Sequence, residues 1–267
     1  MDTLAAFNLH KLPFTREVAV REMLSLSHFE QARHGLLACL ERRMSAAIIG
    51  PAGSGKSALC RALRDALPEA RYRVHYVKVA DLGKRDLCRE VATAMGVTSA
   101  GSYPMLVRRI QEDFAQSGVA DGVRPVLVID EAHDIRPDVL GVLRILTNFD
   151  WDSRLVLSVV LAGQPRLETL LKKATLEDVA QRIAFTARLR LLSRDETANY
   201  LAHRCAIAGQ PQSPFDPGSI EALFEMSQGN LRAIDRLALG ALDEAATRGA
   251  KVVAGSDVVA ARRRVLA

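Results

Sequence analysis

From residue 27 onward the chain alternates between two hydrophobic periods. Apolar positions recur at helical spacing over Ser27–Arg43. They then run unbroken through Met44–Gly50 and stop at glycines, the pattern of a buried strand. Lys56–Leu67 returns to helical spacing and ends at Pro68. Arg73–Val79 is alternating and β-branched, so it is predicted as a second strand. Helices are predicted at Asp86–Met95, stopped by Gly96, and at Tyr103–Gln116, stopped by Gly118. Pro125–Ile129 is a dense apolar strand, Arg136–Phe149 a helix, Leu155–Leu161 a fourth strand, Gln164–Lys173 a helix and Ala184–Leu191 an alternating fifth strand. After Ser193 only helical periodicity remains, over Arg194–Ile207, Asp216–Met226, Asn230–Arg248 and Ser256–Leu266.

Strands that alternate with helices predict a parallel sheet covered on both faces. The expected organisation is an N-terminal segment, residues 1–45, packing on an α/β domain over residues 46–192, followed by a small all-helical domain over residues 193–267. No repeat or low-complexity segment interrupts this plan.

Composition narrows the class. Hydrophobic residues make up 49% and charged residues 25% of the 267 positions, the balance of a globular chain. The longest apolar run, Leu155–Gly163, is broken by Ser158 and is far shorter than the ~18–20 residues a bilayer span needs. Asp2 and the absence of a basic stretch before an apolar one argue against a signal peptide. Cys39, Cys60, Cys88 and Cys205 form no CxxC pair and read as reduced core thiols, so a cytoplasmic location without membrane attachment is expected. The net charge is +5, and residues 191–267 hold nine basic and nine acidic side chains, so the excess sits in residues 1–190. Arg71–Arg89 concentrates six positive charges against Asp81 and Asp86. Aromatics are only 5%, too few for a base-stacking surface, so any nucleic acid would be held by its backbone.

Two motifs carry chemistry. Gly50-Pro51-Ala52-Gly53-Ser54-Gly55-Lys56-Ser57 fits GxxxxGK[ST] at every position and lies between a predicted strand and a predicted helix. Glycines let the backbone wrap a phosphate, the amides and the helix start favour the anion, Lys56 reaches the β- and γ-phosphates, and Ser57 ligates Mg²⁺. Then, 74 residues beyond Lys56, the strand Val126–Ile129 ends in Asp130 and Glu131. Asp130 is placed to hold Mg²⁺ through water, and Glu131 to polarise an attacking water, which points to hydrolysis of ATP. The continuation Ala132-His133 completes a string shared with one helicase superfamily, but such helicases need a second motor domain for which this plan leaves no room.

With the helical C-terminal part, these motifs resemble an AAA+ ATPase. Within that superfamily the chain resembles the ExeA-like ATPases and the transposon-encoded target-selection ATPases of the TnsC, TniB and MuB kind. The resemblance is carried by Leu12-Pro13-Phe14, the phosphate loop, Ile129–His133, Leu143–Asn148, Val160–Pro165, Gln181-Arg182-Ile183 and Gly229–Arg232. It implies a P-loop NTPase fold with a five-stranded parallel sheet flanked by helices and a small helical lid.

By that resemblance Gln164 takes the sensor 1 position, with Asn148 as its rival; a helix C-cap is the plainer reading of Asn148. Arg182 occupies the place of an arginine finger offered to a neighbouring subunit, and its plainer reading is a surface arginine. Arg232, after the capping residue Asn230, matches sensor 2. Pro13 and Phe14 match a stretch that closes over adenine, though Phe14 also fits a hydrophobic staple. The stretch Ala80–Asp86 matches a region that faces DNA in related assemblies. Lys84 and Arg85 are then expected on phosphates, joined by Ser99 and Ser102 from the next loop. The resemblance thus implies a homo-oligomer, a ring or a helical filament, that forms with ATP and Mg²⁺ on double-stranded DNA and recruits a transposase. A secretion-linked ExeA-like role and a replication-initiator role are the alternatives. The chain's compact length is expected to favour the first, since the alternatives call for further domains.

Overall fold

The apolar runs form one sheet. In the computed structural model, which describes residues 2–79, 81–120 and 122–266, the strands are β1 (Ser45–Ile49), β2 (Tyr72–Lys78), β3 (Arg124–Asp130), β4 (Ser158–Gly163) and β5 (Ile183–Arg188). Their order is β2-β3-β4-β1-β5, and every pair is parallel. Burial explains the hydrophobic patterns. β1 and β4 are buried at every position, as interior strands covered on both faces must be, whereas the edge strands β2 and β5 alternate with exposed positions.

Successive side chains leave a strand on opposite faces, so each central strand feeds two cores. Ala47, Ile49, Leu127, Ile129 and Leu161 point into one, shared with the helices at Lys84–Met95, Tyr103–Ala120 and Val142–Leu146. Ala46, Ile48, Val126, Val128, Val160 and Ala162 point into the other, covered by Ser27–Glu41 and Lys56–Ala66.

The chain divides into two compact units. One contains Ser27–Pro51 and Gly55–Leu189 and holds the sheet. The other contains Met1–Leu26, Ala52–Ser54 and Arg190–Ala267. Its helices begin with clear local signals. Ser193 and Glu196 form a capping box ahead of Arg194–Ile207, Asp216 caps Pro217–Ser227 with proline at the first turn, and Asn230 caps Leu231–Thr247. Small residues on the last of these, such as Ala238, Ala241 and Ala245, allow close helix packing. A Cβ on Gly240 would stand 3.0 Å from the Ala261 methyl.

Several elements depart from the sequence expectation. The first 26 residues belong with the C-terminal helices, not with the sheet, because Phe7, Leu9 and Phe14 are buried in the helical core. The predicted helix Arg136–Phe149 is two short helices, Pro137–Leu140 and Val142–Leu146, meeting at Gly141. The fourth strand begins three residues later and runs to Gly163, since Leu155 is exposed. The helix at Tyr103 continues through Gly118 to Ala120. A single glycine costs a helix only ~1 kcal/mol, too little to end one that is anchored by buried Leu106, Ile110 and Phe114. A short 3₁₀ and α segment over Ala174–Ala180 was not legible in the pattern.

All four cysteines are free and buried; burial pushes the Cys60 thiol up to about 12 and Cys88 to about 11. Native protein at pH 8 is therefore expected to react slowly with a thiol reagent such as DTNB and to release the equivalent of four thiols once denatured. Rapid modification of two or more cysteines in the native state would contradict this packing.

Candidate functional site

The site starts where β1 ends. Gly50 N donates to Gly163 O of the neighbouring β4 at 3.1 Å, so the phosphate loop leaves the sheet between β4 and the helix Lys56–Ala66. Gly53 (φ 75°) and Gly55 (φ 94°) are left-handed, which residues with a Cβ adopt at a cost. Gly55 caps the helix without any side-chain bond to its first amides. Ser54 is 4% exposed, and its buried hydroxyl has no hydrogen-bond partner among the described residues. Uncapped amides and an orphaned hydroxyl in a glycine loop fit a phosphate group. Lys56, 8% exposed, curls back so that Nζ donates to Gly50 O (2.9 Å) and Pro51 O (3.0 Å). A multi-donor point charge is thereby held at the loop.

Ala52–Ser54, the tip of that loop, belongs to the unit with the C-terminal helices. Within it Asn230 Nδ2 donates to Ala52 O at 2.8 Å, Leu231 N donates to Gly53 O at 3.0 Å, and a Cβ on Gly53 would strike the Asn230 side chain. The glycine is needed both for its backbone angle and for this approach. Arg232, exposed in the first turn of the helix that Asn230 caps, follows two residues later.

Asp130 is the hub of the acidic half. It is 3% exposed at the end of β3. Its Oδ2 accepts from Ser57 Oγ at 3.3 Å and from Tyr76 Oη at 2.8 Å, and its Oδ1 accepts from Glu131 N at 2.9 Å. The serine hydroxyl and the carboxylate that sequence reasoning assigned to Mg²⁺ are thus in direct contact, an oxygen-only donor pair suited to that hard cation. Tyr76 was missed. It lies on edge strand β2, opposite Val128, and only the β2–β3 register brings its ring within reach of Asp130. Burial and then the bond to Asp130 raise the phenol pKa, which keeps Tyr76 protonated as a donor.

Glu131 occupies the left-handed region (φ 56°, ψ 33°), at a cost of about 1–2 kcal/mol for a residue with a Cβ. Strain of this kind clusters where a side chain must be aimed. The turn that follows is packed tightly, since a Cβ on Gly163 would lie 3.2 Å from His133 N and 3.0 Å from Leu167. His133 is buried, with Nδ1 3.5 Å from the Glu131 carboxylate and no hydrogen bond.

The other candidates fall in three places. Gln164 directly follows Gly163 at the end of β4, between the strands that carry Asp130 and the phosphate loop, and is half-buried. Asn148 lies elsewhere, its Oδ1 accepting from Asp152 N at 3.2 Å in a turn. Arg182 is fully engaged by its own chain: Nε donates to Thr147 Oγ1 (3.1 Å), Nη1 to Asp178 O (3.2 Å) and Nη2 to Asp152 Oδ1 (2.6 Å). Phe14 is 4% exposed in the helical core, edge-on to Phe215 with ring centroids 5.8 Å apart and 5.9 Å from the Arg204 guanidinium, as a buried packing residue would be. Pro13 precedes it in the same unit.

Lys84 and Arg85 open a helix (Lys84–Met95), so they lie in its first turn and not in a loop; Ala80 of the expected loop lies outside the described residues. The structure brings both expected basic and hydroxyl segments together. Arg85 Nε donates to Gly101 O at 3.2 Å, and Arg109 Nη1 donates to Thr98 O at 2.7 Å and Ala100 O at 3.0 Å. Ser99 and Ser102 flank those carbonyls in the chain.

Comparison with known proteins agrees with this geometry. Residues 40–171 match the family described as AAA domain. This chain carries the AAA domain of an AAA+ ATPase. It is 31% identical over 212 residues to General secretion pathway protein A of Aeromonas hydrophila, which covers 79% of this chain and 39% of that protein. The chain therefore spans about two fifths of that relative's length. Among solved structures it is similar to Cdc6p from Pyrobaculum aerophilum (TM-score 0.73, 18% identity, 95% of this chain and 70% of that one). It is also similar to the Aeropyrum pernix ORC1 protein in complex with DNA (TM-score 0.70, 17% identity, 94% and 68%). At these identities the likeness is one of fold. The AAA+ ATPase is a nucleotide-hydrolysing fold, generally used with Mg²⁺. Among the described residues no helix is long and apolar enough to cross a membrane.

Two substitutions separate the roles in this site. Glu131→Gln should bind ATP within about twofold of the parent while turnover falls at least ~100-fold, as loss of a general base implies; a matching loss of binding in equilibrium titration would make Glu131 structural. Tyr76→Phe should raise the Mg²⁺ concentration for half-maximal nucleotide binding by roughly tenfold, the usual penalty for losing a residue that orients a metal ligand. An unchanged Mg²⁺ requirement would remove Tyr76 from the site.

Proposed function

We propose that this AAA+ ATPase assembles with ATP on duplex DNA and there selects target DNA for a partner transposase. In this reading the loop amides of Gly50–Gly55 and the Lys56 ammonium bind the triphosphate. Ser57 and Asp130 hold Mg²⁺, which when bound neutralises charge between the β- and γ-phosphates. Tyr76 and the Glu131 amide fix the Asp130 carboxylate, so its oxygens need little reorganisation. Glu131 accepts a proton from water, Gln164 hydrogen-bonds the terminal phosphate or that water, and Arg232 acts as a second phosphate sensor. Arg182 serves the nucleotide of the next copy. Pro13 and Phe14 belong to the adenine side, Phe14 through the backbone it anchors. The setting proposed is the cytoplasm.

The observation that carries the DNA part is the joining of Lys84 and Arg85 to the Thr98–Ser102 loop through the Arg85 and Arg109 bonds. It makes one surface of cations, hydroxyls and backbone amides with no aromatic platform. Such a surface grips phosphates without reading bases, which suits a protein that must accept many targets. The similarity to General secretion pathway protein A favours a second reading, an envelope-linked ATPase whose assembly needs no DNA. The Cdc6p and ORC1 fold likeness admits an initiator-type role on the same surface.

Electron microscopy with duplex DNA and a non-hydrolysable ATP analogue separates the first two. Rings or filaments coating DNA are expected, and nucleotide-driven assembly that ignores DNA would favour the envelope reading. Lys56→Ala should abolish the assembly. Lys84→Ala combined with Arg85→Ala should weaken duplex binding, with the slope of log affinity against log salt reduced by about 2, and leave ATP binding intact. An unchanged slope would take this surface out of the DNA reading.

A further inference from the structure

Trp151 is the single tryptophan of the chain and is 100% exposed. Isolated surface hydrophobes are ordinary, but this one is held in water by a built turn. Asp150, Trp151 and Asp152 are all left-handed, with φ of 48°, 61° and 65°. Three successive residues with a Cβ adopt that conformation only when neighbours impose it. The neighbours are identifiable. Arg154 Nη1 pairs with Asp150 Oδ2 at 2.8 Å, Ser153 Oγ donates to Asp150 O at 2.6 Å, Asp152 N donates to Asn148 Oδ1 at 3.2 Å, and Arg182 Nη2 pairs with Asp152 Oδ1 at 2.6 Å. Leu155, just beyond, is also exposed. The turn is therefore pinned on every side, and its result is to present a large apolar ring to solvent beside Arg182.

We propose that the Trp151 turn is a docking element for a second copy of this chain, and that docking exchanges the Arg182–Asp152 pair for contacts with that copy. The inference rests on the reading of Arg182 as a residue serving the next copy's nucleotide. A buried tryptophan is the side chain best suited to anchor an interface. Its flanking carboxylates make a poor fit to nucleic acid or an anionic lipid surface and a good one to a basic protein, and this chain is itself basic, with its +5 excess lying in residues 1–190. Arg182 supplies the continuity. All three of its donor nitrogens are satisfied at home, so it reaches another subunit only by leaving Asp152, and Asp152 is then free to pair with a cation of the arriving copy. The Thr147 and Asp178 bonds are a hydroxyl and a carbonyl, which water replaces readily.

The single tryptophan makes the test direct. Intrinsic fluorescence and sedimentation velocity are measured together on the full chain, with Mg²⁺ and a non-hydrolysable ATP analogue, over a range of protein concentrations. The Trp151 emission should shift to the blue in step with assembly and stay unshifted at concentrations too low for assembly. Trp151→Ala should raise the concentration for half-assembly at least tenfold while leaving affinity for a fluorescent ATP analogue unchanged. Asp152→Asn should raise turnover at saturating protein at least threefold, because Arg182 no longer has a charged partner to leave. Assembly with the indole still fully hydrated, or Trp151→Ala assembling at the parent's concentration, overturns docking by this turn. Unchanged or lower turnover of Asp152→Asn overturns the exchange. No assembly with any nucleotide overturns this inference together with the assembly reading it rests on, whereas assembly without a tryptophan signal overturns this inference alone.

Discussion

A buried carboxylate at the end of a central strand tolerates ionisation only when every nearby donor is turned toward it. Asp130 meets that condition with Ser57, Tyr76 and the Glu131 amide. Each donor arrives from a different element: the helix after the phosphate loop, the edge strand β2, and the turn after β3. The parallel register of β2 with β3 and the placement of β4 between β3 and β1 are what bring them within reach. The sheet is in this sense a device for meeting one charge, and the candidate chemistry follows from the oxygen cluster that results.

The same economy explains the strain around the cluster. Glu131 adopts a left-handed backbone so that its carboxylate leaves the strand axis, and Gly163 accepts the close turn beside His133 where no Cβ fits. At the phosphate loop the left-handed glycines leave amides without side-chain caps, and a ligand completes what the chain leaves open. Groups that are unsatisfied or strained in the protein are those that a phosphate and a hard cation would satisfy.

Legibility in the sequence tracked how local each signal was. The phosphate loop, the strand ending in Asp130 and Glu131, and the buried strands were readable because a contiguous pattern encodes each one. The Asn230 and Ser193 caps likewise sit beside the helices they start. Tyr76 was not readable, because its partner is set by strand register across 54 residues. Nor was the fate of Arg182, whose three partners come from three separate segments. The first 26 residues were assigned to the wrong neighbour for a similar reason: Phe7, Leu9 and Phe14 announce burial but not the core that receives them. Helix ends were misjudged where a glycine stop competed with tertiary packing, as at Gly118 and Gly141.

The central claim is that Asp130 and the phosphate loop form one site for a metal-bound triphosphate. Isothermal titration of ATP, with and without Mg²⁺, tests it on the parent chain and on Asp130→Ala. The parent should bind ATP far more tightly with Mg²⁺ present, and Asp130→Ala should retain ATP binding but lose most of that Mg²⁺ enhancement. A parent chain that does not bind ATP, or a variant whose Mg²⁺ enhancement equals the parent's, would contradict the account.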